Sequence, residues 1–249
     1  MSIDVQTLAL IAAAGLYAGA QNVLAGGGSF ITFPALLLAG IDPLAANMTS
    51  TVALFPSQVT AAVAGRKLAG GLPHLSLKRL LFISLIGGAL GAFLLLHTPV
   101  AVFVKLVPWL VLFATACFAW GSFGKRPTHA AAHMPAWVIA LMQSAIAVYG
   151  GYFGGGIGFL MLAALTLAGQ QVRMATATKN VLAMAMNASA MFIFVFSPLV
   201  NWYAALALAA GGILGGLSGA WLLHKLPEGV LRGFIVAVGV VLTVWLFVR

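Results

Sequence analysis

Gly26-Gly27-Gly28-Ser29-Phe30-Ile31-Thr32-Phe33-Pro34-Ala35-Leu36-Leu37-Leu38-Ala39-Gly40 joins a glycine triplet to a short apolar run, and it occurs twice. The second copy is Gly154-Gly155-Gly156 followed by Phe159 through Gly169. As helices, the segments 29–40 and 157–168 are about 16–18 Å long, well short of a ~30 Å hydrocarbon core. Further along, Ile86-Gly-Gly-Ala-Leu-Gly-Ala-Phe-Leu-Leu-Leu-His-Thr-Pro99 returns as Leu214-Gly-Gly-Leu-Ser-Gly-Ala-Trp-Leu-Leu-His-Lys-Leu-Pro227. Seven of those fourteen positions are identical, and the offset stays within one residue of 128 for both motifs. A constant offset across two motifs identifies a tandem duplication. The first repeat is assigned to 1–122, a cytoplasmic linker to 123–132 and the second repeat to 133–249.

Composition sets the solvent. Of 249 residues, 63% are apolar and 6% charged, against roughly 25% charged in soluble domains. The mean hydropathy is +1.11. Too little polar surface exists to coat a water-soluble globule, which points to an all-α polytopic membrane protein and away from soluble enzymes and nucleic-acid binders. The net charge of +9 then reads as positive-inside orientation, since the basic residues punctuate apolar runs. Cys117 is the single cysteine, so neither a disulfide nor a CxxC metal site is available. Asp4 stands where a signal peptide's basic region belongs, so none is expected.

About eight hydropathy segments follow, near 6–25, 45–65, 77–96, 100–120, 135–153, 175–196, 202–223 and 230–248, each close to the ~20 residues a spanning helix needs. The loop from Arg66 to Arg79 carries four basic residues, whereas its counterpart, Ser197 to Tyr203, carries none. The turn His97 to Pro99 is uncharged; its counterpart carries Lys225, with Arg232 just beyond. The halves are therefore expected to be inverted, which requires an odd number of crossings in each. A re-entrant pair at each glycine break plus three spanning helices satisfies that parity. Five crossings would also satisfy it, and the shortness of the second member favours the re-entrant pair. Lys125, Arg126 and Arg173 then fall in the cytoplasm and both chain termini outside.

A broken backbone at membrane depth survives only where protein buries it or where it lines a polar cavity. Each break precedes a short helix whose first turn presents unpaired N–H groups and about +0.5 of dipole charge. Two such ends meeting from opposite sides would form an anion site. The candidate residues are Gly26, Gly27, Gly28, Ser29, Gly154, Gly155, Gly156 and Gly158. Tight helix packing is the other use of such glycines, and it suits Gly87, Gly91, Gly215 and Gly219. Polar residues recur in register after the breaks: Asn47, Thr49, Ser50 and Thr51 in one half, Thr176, Thr178, Lys179 and Asn180 in the other. Gln58 and Asn187 follow two to three turns further in. Their hydroxyls and amides suit an oxyanion that must also be released, although such groups in membrane helices also bond the i−4 carbonyl.

Lys179 stands in an otherwise uncharged helix and either faces a cavity or snorkels to the cytoplasmic surface beside Arg173. His74, His97, His129, His133 and His224 fall in linkers or at helix ends, and no metal site or cofactor is expected. With only Asp4, Asp42 and Glu228 acidic, neither a carboxylate proton relay nor a sodium carboxylate site is expected. No Ser/His/Asp constellation or phosphate-binding loop is present, which speaks against an enzyme or an ATP-driven pump.

These residues resemble a known family. Gly15-Leu-Tyr-Ala-Gly through Gly26-Gly-Gly-Ser-Phe-Ile-Thr-Phe-Pro-Ala-Leu, then Asn47-Met-Thr-Ser-Thr, is similar to the TauE/SafE sulfite-exporter family. The second copy, Gly150-Gly-Tyr-Phe-Gly-Gly-Gly-Ile-Gly158 with Ala175-Thr-Ala-Thr-Lys-Asn180, is similar too. The resemblance implies a multi-pass permease of the bacterial inner membrane for small sulfur anions such as sulfite, thiosulfate or sulfonates. In the first copy Gln21-Asn22-Val-Leu-Ala25 precedes the glycines and is less glycine-rich than the family pattern. The leading expectation is a secondary transporter working by alternating access around the two breaks, in a bilayer and possible as a homo-oligomer, without nucleic-acid partners. An anion channel on the same scaffold, or a membrane subunit that transports nothing, are the alternatives.

Overall fold

The computed structural model describes residues 4–24, 27–123, 134–223 and 228–248. Gly26, most of the linker, Lys125, Arg126, His129, His133, His224 and Lys225 lie outside them. Among the described residues there are ten helices and no strand. The first half contains α1 (Val5–Leu24), α2 (Ser29–Leu38), α3 (Pro43–Gly65), α4 (Leu77–Leu96) and α5 (Val100–Phe123). The second contains α6 (Ala136–Tyr152), α7 (Ile157–Leu167), α8 (Val172–Phe194), α9 (Trp202–Leu223) and α10 (Glu228–Val248).

Local chemistry places the boundaries. Asp4 accepts the Thr7 N–H at 2.8 Å and caps α1; those hydrogen bonds hold its exposed carboxyl below the usual carboxylate range. Pro43 occupies the first turn of α3, where its missing N–H costs nothing. The short helices α2 and α7 end alike. Gly40 and Gly169 take φ of +78° and +95°. The next residues, Ile41 and Gln170, donate back to Leu36 and Leu165 at 3.1 and 3.0 Å. This is the Schellman arrangement, which satisfies carbonyls left over at a helix end. It closes both short helices after only 10 and 11 residues.

Among the described residues α4 (Leu77–Leu96) and α5 (over Val100–Gly121) are each long and apolar enough to cross a membrane on length and composition alone. The outer surface is apolar throughout the bundle: Phe192 and Val241 are 66% and 68% exposed, and Phe82, Trp109, Leu206 and Leu217 are exposed as well. Such a belt has a suitable solvent only in lipid. This is an all-helical polytopic membrane protein.

Helix packing repeats across the two halves. α1 packs on α9 as α6 packs on α4, α3 on α9 as α8 on α4, and α5 on α7 as α10 on α2. α3 also packs on α8, and α5 on α10. Glycine permits the closest of these approaches. A side chain on Gly19 would strike the Gly212 carbonyl, and one on Gly91 the Val148 carbonyl. Gly87 and Gly215 also face neighbouring helices closely, on Ala147 and Leu16, as the packing reading expects. The contacts also give directions. Gly15 meets Leu208 and Gly19 meets Gly212, so α1 and α9 run the same way. Thr115 meets Gly239 while Trp109 meets Phe247, so α5 and α10 run oppositely. α3 and α8 run oppositely too, with Gly65 on Ala177 and the preceding Gln58 and Ala61 near the later Asn180 and Ala183.

Candidate anion site

At the first break α1 ends at Leu24, Gly27 takes φ +88° and α2 begins at Ser29. The Gly28 N–H donates to Asn22 Oδ1 at 3.0 Å. Asn22 Nδ2 donates to Ser57 Oγ at 3.4 Å, and the Ser57 hydroxyl donates to the Leu54 carbonyl at 2.8 Å. A side chain of α1 thus holds the reversed backbone and ties it to α3. A Cβ on Gly28 would fall 2.9 Å from both polar atoms of that amide, so only glycine fits there.

At the second break the N–H groups of Phe153 and Gly154 both reach the Tyr149 carbonyl. Gly154 and Gly156 take φ of +78° and +74°, and Gly156 caps α7. The Tyr149 hydroxyl donates to the Gly155 carbonyl at 2.9 Å. Ala114 of α5 lies against Gly156, where an added Cβ would sit 3.2 Å from its carbonyl oxygen.

The two breaks meet at one cleft of about 430 Å³, part of it open to solvent. The first half contributes Asn22, Gly27, Ser29, Gln58 and Ala61; the second contributes Gly154, Ile157, Gly158, Lys179, Asn180 and Ala183. Ser29, Ile157 and Gly158 open α2 and α7, and their N–H groups have no acceptor among the described residues. Gln58 Oε1 is buried without a hydrogen-bond partner. Lys179 is 2% exposed, and no hydrogen bond or ion pair to it is present among the described residues. Arg173, one turn and a half earlier, is exposed. Lys179 therefore belongs to the cleft and does not snorkel. Asp4 and Asp42 are exposed elsewhere, and among the described residues no group of side chains could hold a metal ion. A buried ammonium and two helix N-termini around one space produce a positive field in a low-dielectric setting, where charge interactions are weakly screened.

Of the residues expected from sequence, Gly27, Ser29, Gln58, Gly154, Gly158, Lys179 and Asn180 line this cleft. Gly28, Gly155 and Gly156 belong to the breaks but are not in its lining. The others have different partners. Asn47 Nδ2 donates to the Tyr152 carbonyl at 2.9 Å, joining α3 to α6. Thr49 Oγ1 accepts the Asn201 N–H at 3.0 Å, and Thr178 Oγ1 accepts the Gly70 N–H at 3.1 Å. Each hydroxyl thus fastens the loop before α9 or α4. Ser50 bonds Thr32 at 2.6 Å. Thr51, Thr176 and Asn187 donate to carbonyls four residues back in their own helices. Sequence reasoning did not place Asn22, Ala61, Ile157 and Ala183 in the site; of these Asn22 is the polar one, and it both lines the cleft and holds the break. Its signal was an amide in an apolar helix six residues before a glycine.

The chain matches the model of the family described as sulfite exporter TauE/SafE over residues 11–246. It is 33% identical to the "Probable membrane transporter protein ORF9" of Sinorhizobium sp, covering 95% of this chain and 91% of that protein. It is 28% identical to a "Probable membrane transporter protein" of Haemophilus influenzae, covering 98% and 95%. It is 27% identical to the "Probable membrane transporter protein YfcA" of Escherichia coli strain K12, covering 92% and 85%. No solved structure matches the chain.

Proposed function

Because the chain belongs to the sulfite exporter TauE/SafE family, we propose that this membrane transporter is a secondary carrier of a small sulfur-containing anion, such as sulfite, thiosulfate or a sulfonate. It works in the bacterial inner membrane by alternating access around the two glycine breaks. The observation that carries this reading is the convergence of both breaks and Lys179 on one cleft. An entering oxyanion brings at least one negative charge. It accepts hydrogen bonds from the first N–H groups of α2 and α7 and from the amides of Gln58 and Asn180, and Lys179 neutralises it. A buried charge without a partner is costly, so anion and lysine stabilise one another and the empty site does not hold the chain in one state.

The repeats are inverted on this reading, with domains at 1–122 and 133–249. The opposite run of α3 and α8, and of α5 and α10, supports that arrangement. The cleft draws on the end of α3 and the start of α8, the end of the molecule that carries Arg66, Lys67, Lys78, Arg79 and Arg173. Positive-inside orientation makes that end cytoplasmic, so this conformation faces inward and both termini lie outside. Cysteine at exposed Ser76 should react with an impermeant thiol reagent from the cytoplasmic face only, and labelling from outside would reverse the orientation. Transport itself is read in proteoliposomes, offered radiolabelled sulfite, thiosulfate and methanesulfonate in turn. Saturable flux coupled to a gradient is expected; unitary currents would make the protein a channel, and no movement of any of the three would remove the sulfur-anion reading.

A further inference from the structure

The cleft uses only half of each long polar helix. It takes Gln58 and Ala61 from the later half of α3, and Lys179, Asn180 and Ala183 from the earlier half of α8. α3 and α8 correspond residue by residue at an offset of 129, from Pro43 and Val172 to Gly65 and Phe194. Applying that offset to the lining carries Lys179, Asn180 and Ala183 onto Ser50, Thr51 and Leu54. It carries Gln58 and Ala61 onto Asn187 and Ala190. Since the helices run oppositely, this second set lies together at the other end of the molecule.

In this structure the second set is shut. Ser50 is held by Thr32 at 2.6 Å, and the Asn187 amide is occupied by its own helix at 3.0 Å. Leu54 and Ala190 are 1% and 0% exposed. One fastening is common to both ends: Thr49 to the loop before α9, and its counterpart Thr178 to the loop before α4. Among the described residues two others are present at the shut end alone. Asn47 Nδ2 reaches the Tyr152 carbonyl at 2.9 Å, joining the start of α3 to the end of α6. The counterpart of Asn47, Thr176, bonds Val172 of its own helix instead. The Phe33 ring meets Phe153 at 5.6 Å, where the counterpart of Phe33 is Leu162.

From this we infer, building on the transporter reading above, that Ser50, Thr51, Leu54, Asn187 and Ala190 form a second, outward half-site. It takes the anion when the present cleft closes, and the Asn47–Tyr152 bond is the latch that keeps it shut. The two half-sites differ in kind. Ser50 stands where Lys179 stands, so the inward half-site offers a full charge and the outward one only neutral hydroxyl and amide donors. The anion is accordingly bound more tightly from inside than from outside.

The test uses full-length protein with Cys117→Ala and one new cysteine, Ser50→Cys or Ala190→Cys, in right-side-out vesicles with an impermeant thiol reagent. Ser197→Cys reports reagent access and Ala183→Cys, in inverted vesicles, reports the inward cleft. Both outward cysteines should react from outside. Adding Asn47→Ala should raise their rate about fivefold, the factor implied by losing one net hydrogen bond, while slowing the reaction of Ala183→Cys. If neither reacts from outside in either background while Ser197→Cys does, the half-site is wrong. Radiolabelled sulfite flux in vesicles of the Cys117→Ala protein without an added cysteine reads transport separately. Labelling without flux overturns the sulfite reading and keeps the half-site, whereas flux without labelling overturns the half-site alone.

Discussion

At the first break an amide from the preceding helix, Asn22, grips the Gly28 N–H. At the second, glycines in left-handed conformation on both sides of Gly155 set the path, and the Tyr149 hydroxyl fixes the Gly155 carbonyl. Left-handed glycines turn the chain in both copies, Gly27 in one and Gly154 and Gly156 in the other, but the side chain that holds the turn grips an N–H in the first and a carbonyl in the second. The difference explains the glycine spacing upstream. Gly150 and Gly151 pack directly on Met186 and Gly88, which leaves no room at that place for an amide like Asn22. Duplicated sequences need to preserve only the outcome, a backbone turned towards the cleft with its N–H groups unspent.

Substitutions can break this contrast in graded steps. Gly156→Val should be the most damaging, since its φ of +74° excludes a β-branched residue and Ala114 blocks the space. Loss of folded protein from the membrane, measured by detergent-extracted monodisperse yield, is the expected result. Gly154→Ala separates conformation from space, because the nearest atom to its added Cβ is 3.4 Å away. It should cost only the left-handed penalty of about 1–2 kcal/mol, visible as a lower thermal midpoint. Lys179→Met should leave folding intact and weaken sulfite binding about tenfold or more, the range for hydrogen bonds to charged groups. Lys179→Arg should recover only part of the affinity, because a planar guanidinium does not reproduce a compact ammonium. Unchanged affinity in Lys179→Met by calorimetry would remove that residue from the site.

Asn22→Ala should come next, leaving the Gly28 N–H without its acceptor at a cost of about 1–3 kcal/mol. Its effect should appear as faster hydrogen exchange at Gly27 and Gly28 with no change at Gly154 to Gly156. Tyr149→Phe should be the mildest, about 0.5–1.5 kcal/mol for one hydrogen bond, with the opposite exchange pattern. If both variants loosened both breaks equally, the two would be one mechanical unit and the contrast would fail.

Much of the fold was legible because apolar runs and short polar loops alternate at nearly the length of a helix. The segments expected from sequence meet the observed helices within three residues at each end, including the two short ones closed by Gly40 and Gly169. The site was legible only in part. Sequence marks that Asn47, Thr49, Ser50 and Thr51 mirror Thr176, Thr178, Lys179 and Asn180. It does not mark which face of each helix turns to the cleft, since that depends on how α3 and α8 cross. Thr49 and Thr178 turned out to fasten loops in both halves. Asn22 was hidden for a different reason: its partner Gly28 comes back to it only after the chain reverses at Gly27.

The claim that the meeting point of the two breaks holds the anion is tested most directly by protection. Ala183→Cys in the Cys117→Ala background lines the cleft and should react with a thiol reagent added from the cytoplasmic side. The transported anion, identified by flux among sulfite, thiosulfate and methanesulfonate, should slow that reaction saturably, with a midpoint that rises about tenfold when Lys179→Met is added. A labelling rate indifferent to an anion that the same protein demonstrably transports would place the binding site elsewhere and contradict the account.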